Sequence, residues 1–371
     1  MFSSPDFRPR QESFLSIQVL RGFAALAVAM VHITGYEMVE KYGLRGVLPP
    51  FRLGNSGVDL FFIISGFVIV YASEPLFERG RAMQEFFLRR AARIVPLYWF
   101  TTSIILAYLL IQYRDIRFAN FSVQSVLASY FFIPYPQIGG FVAPIHGVGW
   151  TLNYEMFFYA TFCFALLFSR NVGVWLLALV LAALVVAGRI WQMPHPIKFW
   201  SDPIILEFVF GMLIALALRA NVRLHLVVAV LLLAFAASMF YISGIAGPHI
   251  HRFVKFGLPW AAIVATLVLV DVRVRPGLVL RALNFLGDAS YSLYLIHPIA
   301  IAAPRWLFPH FVDPAASPWL YAAMLLVTAV AAAFALHLAF ERPVTRYLQA
   351  RIRAKFRAAP AEPRPAERAA P

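Results

Sequence analysis

The sequence predicts an all-α fold: a polytopic transmembrane helix bundle of about ten spans with both termini cytoplasmic. Three observations predict it. Hydrophobic residue types make up 61% of the 371 residues and charged types only 13%, against about 45–50% and about 25% in soluble domains. Mean hydropathy is +0.73, and apolar stretches close to the ~20 residues a helix needs to cross the ~30 Å hydrocarbon layer recur along the chain. With the N-terminus placed inside, 21 of the 32 Lys and Arg fall in the termini and inner connections, the bias that marks cytoplasmic segments. A cytosolic enzyme, a disordered chain and a disulfide scaffold are therefore excluded. The single cysteine, Cys163, allows no intramolecular disulfide and is read as core packing. The net charge of +14 is carried mostly by Arg scattered between apolar segments. That pattern fits membrane lipid headgroups as partners and no nucleic acid.

The predicted spans are 17–36, 56–73, 94–113, 150–168, 172–190, 203–218, 224–243, 256–271, 285–304 and 319–340. An apolar patch at 121–134 is too short to span and is expected to be re-entrant or interfacial. Residues 1–15 form a cytoplasmic segment, 16–347 the membrane-embedded domain, and 348–371 a disordered basic cytoplasmic tail. The first span carries Arg21 and His32, so it is read as a span and not as a cleaved signal. No internal repeat is evident.

Ionisable residues inside spans are costly and are the first candidates for function. Arg21 and His32 are eleven residues apart, about three turns plus ~20°, so they share a face roughly 16 Å apart along the axis. The plainer readings are a snorkelling Arg and a His hydrogen-bonded to a neighbouring helix. On the second span Asp59 is expected about one turn below the outer surface, beside His32, where a carboxylate fixes the imidazole tautomer and yields a general base. Asp59 also suits the N-cap of its own helix. Arg90 and Arg93 lead into the third span with Tyr98 and Trp99 following. Such a pair can grip phosphates while an aromatic stacks on a base. Ordinary inner positive charge with an aromatic belt fits the same spacing. Glu155, just over one turn into the fourth span, is placed at the depth of His32 and Asp59, as a catalytic carboxylate or an interfacial one. Tyr291, Tyr294 and His297 recur every third residue on the ninth span, where they either line a passage or bond between helices. His249 and His251 lack acidic or Cys partners nearby in sequence and indicate no metal site. His337 and Glu341, four apart, are expected to pair with each other.

Taken together these motifs resemble the integral-membrane acyltransferases of the acyltransferase-3 type. The resemblance spans about residues 14–347. It rests on Arg21-x10-His32, Gly57-Val58-Asp59-Leu60-Phe61-Phe62 with Ser65-Gly66-Phe67, and Arg90-x-x-Arg93-Ile-x-Pro96-x-Tyr98-Trp99. It continues through Trp150-Thr-Leu-x-x-Glu155, Tyr291-Ser-Leu-Tyr294-Leu-x-His297-Pro298 and Glu341-x-Pro343. The opening Ser16-Ile17-Gln18-x-Leu20-Arg21-Gly22 is most similar to the branch that decorates exopolysaccharide. The resemblance implies an O-acyltransferase of the bacterial inner (plasma) membrane. Its co-substrate is acetyl-CoA or another acyl-CoA, with no permanently bound cofactor, and its acceptor is a hydroxyl of a polysaccharide or lipid-linked oligosaccharide. It implies His32, Asp59 and Glu155 as catalytic residues, Arg21, Arg90, Arg93 and Tyr98 as donor-binding residues, and Trp150, Tyr291, Tyr294 and His297 as acceptor-binding residues. Some relatives carry a fused extracytoplasmic esterase-like domain. Here transfer is expected to be completed by the membrane domain or a separate partner. The competing readings are a multi-span transporter or flippase and a passive scaffold for polysaccharide assembly.

Overall fold

The computed structural model describes residues 11–44, 52–113, 121–137, 140–245, 250–270 and 277–357. Among them the chain is helical, with one isolated bridge, Pro136 to Val142, in place of any strand. The first helix, α1 (Gln11–Val31), continues as a π-wound stretch over His32–Lys41. Next come α2 (Gly57–Ala72), the long α3 (Ala82–Tyr113) and a short α4 (Val123–Tyr130). The middle of the chain forms α5 (Trp150–Ala165), α6 (Arg170–Ile190), the single turn α7 (Ile197–Trp200), α8 (Leu206–Arg219), α9 (Leu226–Ile245) and α10 (Leu258–Leu269). The last four are α11 (Leu278–Asp288), α12 (Ser290–Ala302), α13 (Pro318–Leu336) and α14 (Arg342–Arg357).

Among the described residues six helical segments are long and apolar enough to cross a membrane: Leu15–Val39, Leu53–Ala72, Ala82–Tyr113, Arg170–Ile190, Leu226–Ser243 and Pro318–Phe356. The other expected spans fall on shorter helices: α5, α8, α10, and α11 with α12, which are broken at Ala289. Outward faces are apolar. Leu226 and Leu231 of α9 and Leu179 of α6 are among the exposed aliphatics. So broad an apolar exterior needs lipid around it, because in water such patches associate.

Close backbone crossings set the bundle. A Cβ on Gly66 of α2 would lie 2.1 Å from the Phe208 carbonyl oxygen, and one on Gly211 of α8 would lie 1.9 Å from that of Ile63. These two helices can meet this closely only with glycine at the contact, the small-residue packing familiar in membranes. Beside the crossing, Phe62, Phe208 and Phe158 stack in sequence at 4.6 and 4.4 Å. α1 runs through the middle, against α2, α11 and α12. It approaches α11 at Gly287, where a Cβ would meet the Gln18 carbonyl at 2.0 Å.

One boundary differs from expectation. The C-terminal segment is more helical than predicted: residues 348–357, expected in a disordered tail, continue α14. The tail is ordered there by contacts, because Gln349 Nε2 donates to the Arg89 carbonyl at 2.7 Å and Arg81 lies 4.9 Å from the Phe356 ring centroid. Residues 358–371 lie outside the described residues. The patch at 121–134 forms α4, capped by Ser122, and lies on the middle of α3. There Tyr98 Oη donates to the Ser129 carbonyl at 3.0 Å and Trp99 Nε1 to that of Tyr130 at 2.8 Å.

Candidate active site

Three cavities follow one another through the bundle beside α1. An outer chamber of about 740 Å³ is lined by His32, Trp150, Tyr294 and Arg252 among others. A small inner chamber of about 100 Å³ is lined by Arg21, Arg90, Arg93, Glu155 and Tyr291. A third cavity, of about 360 Å³, opens at the Arg-rich end of the bundle and again touches Arg21 and Arg93. Val58 and Tyr294 line both the outer and the inner chamber. Arg21 and Arg93 line both the inner chamber and the end cavity. The eleven-residue spacing on α1 therefore delivers its two polar residues to one route, in separate compartments.

In the outer chamber the hydrogen-bond pattern fixes the histidine tautomers. His297 Nδ1 lies 3.1 Å from the Leu293 carbonyl, one turn back on α12. A carbonyl only accepts, so that nitrogen carries the proton and Nε2 of neutral His297 is an acceptor. His297 Nε2 lies 3.3 Å from His32 Nδ1, which is itself 3.0 Å from the Val28 carbonyl. His32 Nδ1–H thus donates to both, and Nε2 of His32 is left as the bare, basic nitrogen. His297 is fully buried and His32 partly so. His146, in the connection before α5, is the second imidazole lining this chamber and donates through Nε2 to the Leu295 carbonyl at 2.9 Å, whereas His297, expected to bind the acceptor, is buried behind His32 and lines none of the three cavities. Burial lowers the pKa of His146 to about 4, with the carbonyl bond opposing the shift.

The inner chamber collects the charges that the sequence placed elsewhere. Glu155 was expected at the depth of His32; it instead lines the same chamber as Arg21, Arg90 and Arg93. Depth counted from helix starts fails here because the turn before α5 is sunk into the bundle, with Gly149 against the Tyr98 ring in the middle of α3. Arg90 was expected on the end face but is similarly drawn inward. Its guanidinium lies 5.6 Å from the Phe86 ring centroid and 5.8 Å from that of Tyr159. The reason is that α3 starts at Ala82, twelve residues before the predicted span. Arg93 reaches both the chamber and the end cavity. Tyr291 lines the chamber and donates to the Ile94 carbonyl at 2.8 Å, close to the helix-internal Pro96. Tyr294 donates to the Val148 carbonyl at 2.8 Å, so it both lines the passage and bonds between helices.

Two further expected placements are overturned. Asp59 does not meet His32. Its fully buried carboxylate is held by Arg252, from Nε to Oδ1 at 3.1 Å and from Nη2 to Oδ2 at 2.7 Å. A buried carboxylate needs a cation, and the π-wound turn Phe253–Gly257 before α10 brings one to the start of α2. Tyr98 does not line any of the three cavities. It is fully buried between the Phe132 and His146 rings, where it anchors the connection that carries α4. Trp150 does line the outer chamber.

His337 and Glu341 pair as expected, at 2.8 Å, and Ser292 Oγ joins them by donating to the same Glu341 oxygen at 2.6 Å. Cys163 is buried in the core. His251 lies 3.2 Å from an Arg189 nitrogen, and His249 is outside the described residues. Sequence reasoning missed Arg252, Arg342, Arg346 and Tyr159. Tyr159 had a readable signal, since it follows Glu155 by four residues on one helix face. Arg252 had none, because its partner is 193 residues away.

Residues 14–338 match the acyltransferase domain that defines the acyltransferase-3 family. The exopolysaccharide production protein ExoZ of Rhizobium meliloti is 35% identical, over 81% of this chain and 92% of its own length. The acyltransferase MdmB of Streptomyces mycarofaciens is 28% identical, over 92% of this chain and 94% of its own. The O-acetyltransferase OatA of Staphylococcus aureus is 26% identical, over 88% of this chain and 57% of its own. No solved structure matches.

Proposed function

This chain belongs to the acyltransferase-3 family of membrane O-acyltransferases, and on that premise we propose that it transfers an acyl group, acetyl first among them, from cytoplasmic acyl-CoA to a hydroxyl of an exported or cell-surface polysaccharide. The relative named for exopolysaccharide production supports that class of acceptor. We place both termini and the Arg-rich end in the cytoplasm, with ten helical passes through the bacterial inner membrane. The excess of Lys and Arg at that end supports this orientation.

The observation that carries the reading is the bare Nε2 of His32 at the outer chamber, held in that tautomer by His297 and the Val28 carbonyl. In the proposed reaction the acceptor sugar occupies the outer chamber, whose volume of about 740 Å³ and aromatic lining suit a glycan. The donor arm enters from the Arg-rich end through the inner chamber, past Arg21, Arg93 and Glu155, and brings its thioester to the Val58 and Tyr294 boundary. His32 Nε2 removes the acceptor hydroxyl proton as that oxygen attacks the thioester carbonyl. The C–S bond breaks, the sulfur leaves as thiolate, and the imidazolium returns the proton to it. The products are the ester and free coenzyme thiol. Asp59 is assigned a positioning role through Arg252, which also lines the outer chamber.

The test is acetyl transfer in membranes containing wild-type protein or His32→Ala, with mass spectrometry of surface polysaccharide. We expect one added acetyl group per modified repeat with the wild type and none with the variant. A carrier would move substrate but give no CoA-dependent acylation, and that result would remove the proposal.

A further inference from the structure

We propose that Arg342 and Arg346 on α14, with Arg93, form a phosphate-recognition site for the phosphorylated end of the donor, a role given to neither α14 residue above. The inference rests on the acyl-CoA reading. Its starting point is the end cavity, where Arg21, Arg93, Arg342 and Arg346 face a single carboxylate, Asp288. That carboxylate is already engaged, since Gln18 Nε2 donates to Asp288 Oδ1 at 2.6 Å. Gln18 also accepts from Arg21 Nη1 at 2.7 Å, so Arg21 is tied back to the floor of the cavity.

Several arginines elsewhere in the chain have acidic partners. Arg79 and Arg89 are bound to Glu85, Arg170 to Glu74, Arg252 to Asp59 and Arg305 to Glu37. Among the described residues no carboxylate forms an ion pair with Arg93, Arg342 or Arg346. Arg342 and Arg346 are exposed and stand one turn apart on one face, an arrangement that repels in the absence of an anion. Four guanidinium groups around about 360 Å³ suit a ligand carrying several negative charges, and guanidinium is the group that matches phosphate oxygens two at a time.

The helix bearing these residues is held in place at its start and at its middle. At its start Glu341 accepts from Ser292 Oγ and His337 Nδ1. Further along, Gln349 Nε2 donates to the Arg89 carbonyl. The site is thus built on a fixed support, which reduces the ordering cost of binding. Because Arg21 and Arg93 also line the inner chamber, phosphates seated here leave the rest of the donor aimed at that chamber.

The experiment uses the full-length protein in nanodiscs. Two quantities are read: the affinity for adenosine 3′,5′-bisphosphate by titration calorimetry, and KM for acetyl-CoA and for acetyl-pantetheine, which lacks phosphates. R342A/R346A should weaken bisphosphate binding and raise KM for acetyl-CoA by roughly tenfold or more, the worth of one charge-assisted contact. KM for acetyl-pantetheine should not change. R342K/R346K should recover part of the loss, and R351A, on the far side of α14, should behave as wild type. Unchanged bisphosphate affinity and KM in R342A/R346A, in a wild type that does use acetyl-CoA, would overturn this inference alone. A wild type that transfers nothing from acetyl-CoA and binds no bisphosphate would overturn the donor reading with it. If the double variant differs from wild type only in nanodiscs containing phosphatidylglycerol, the anion recognised is a lipid headgroup and the proposal fails.

Discussion

His297 Nε2 lies 3.3 Å from His32 Nδ1, and the two rings meet edge to face with centroids 4.7 Å apart. His297 therefore takes the orienting part expected of Asp59, with a neutral acceptor in place of a carboxylate. His32→Ala should lower kcat by about 100-fold or more, the loss expected for a general base. His297→Ala should lower kcat by roughly tenfold, leave the acceptor KM near wild type and move the pH profile of kcat, because the His32 tautomer is no longer held. Steady-state kinetics across pH checks both. An unmoved profile in His297→Ala would reduce His297 to a packing residue.

The Asp59–Arg252 pair predicts a stability phenotype. Arg252→Ala leaves a buried carboxylate without its cation and should destabilise the fold, by less than the ~3–5 kcal/mol of a fully buried pair because the Arg252 side chain is 36% exposed. Asp59→Asn should lose part of the same interaction, and the two changes together should cost less than their sum. A double-mutant cycle of unfolding in detergent measures this. Strict additivity would contradict the pairing seen here.

Between the outer and inner chambers stand Val58 and Tyr294. Val58→Trp fills that boundary. It should abolish transfer to the acceptor while adenosine 3′,5′-bisphosphate still binds at the other end. Val58→Ala should transfer acetyl and accept a longer acyl chain better than wild type. Donor competition assays on the two variants separate the outcomes.

The α2–α8 crossing predicts a packing effect. Gly66→Ala and Gly211→Ala each place a methyl about 2 Å from a backbone oxygen, so folded protein should be lost from membranes in both. Gly35→Ala, with nothing within 4 Å of its Cβ position, should accumulate normally. Fluorescence-detected size exclusion gives the comparison directly.

His146 predicts a pH dependence of stability. Its pKa is depressed in the folded state, from 6.5 to about 4, so the unfolded chain binds the proton first as pH falls. Stability should be unaffected above pH ~6.5 and decline between ~6.5 and ~4, by up to about 3 kcal/mol, with no further loss from this group below that. His146→Gln should flatten that part of the curve. Thermal melting in detergent from pH 4 to 8 is the measurement.

The helical bundle, its family and most residues of the candidate site were legible in the sequence, because intramembrane charges are few and costly and so mark themselves. Arg21 and His32 could be placed on one face from spacing alone, since both ride on one helix. Depth across different helices was not legible. Glu155 and Arg90 were misplaced because α5 starts inside the bundle and α3 starts well outside the predicted span. Pairing across long separations was equally hidden. Nothing local to Asp59 distinguishes an imidazole partner from Arg252, and only the folded approach of the turn before α10 decides it. The part of the C-terminal helix from residue 348 was read as disorder because Ala, Pro and Arg dominate the residues beyond it, while its own order comes from tertiary contacts with α3 and with Arg81 just before it.

The three cavities meet only at pairs of side chains, Val58 with Tyr294 and Arg21 with Arg93. The boundaries between compartments are therefore made of side chains and not of backbone, two guanidinium groups at one and a valine with a tyrosine at the other, so a single substitution is enough to resize either opening without rebuilding a helix.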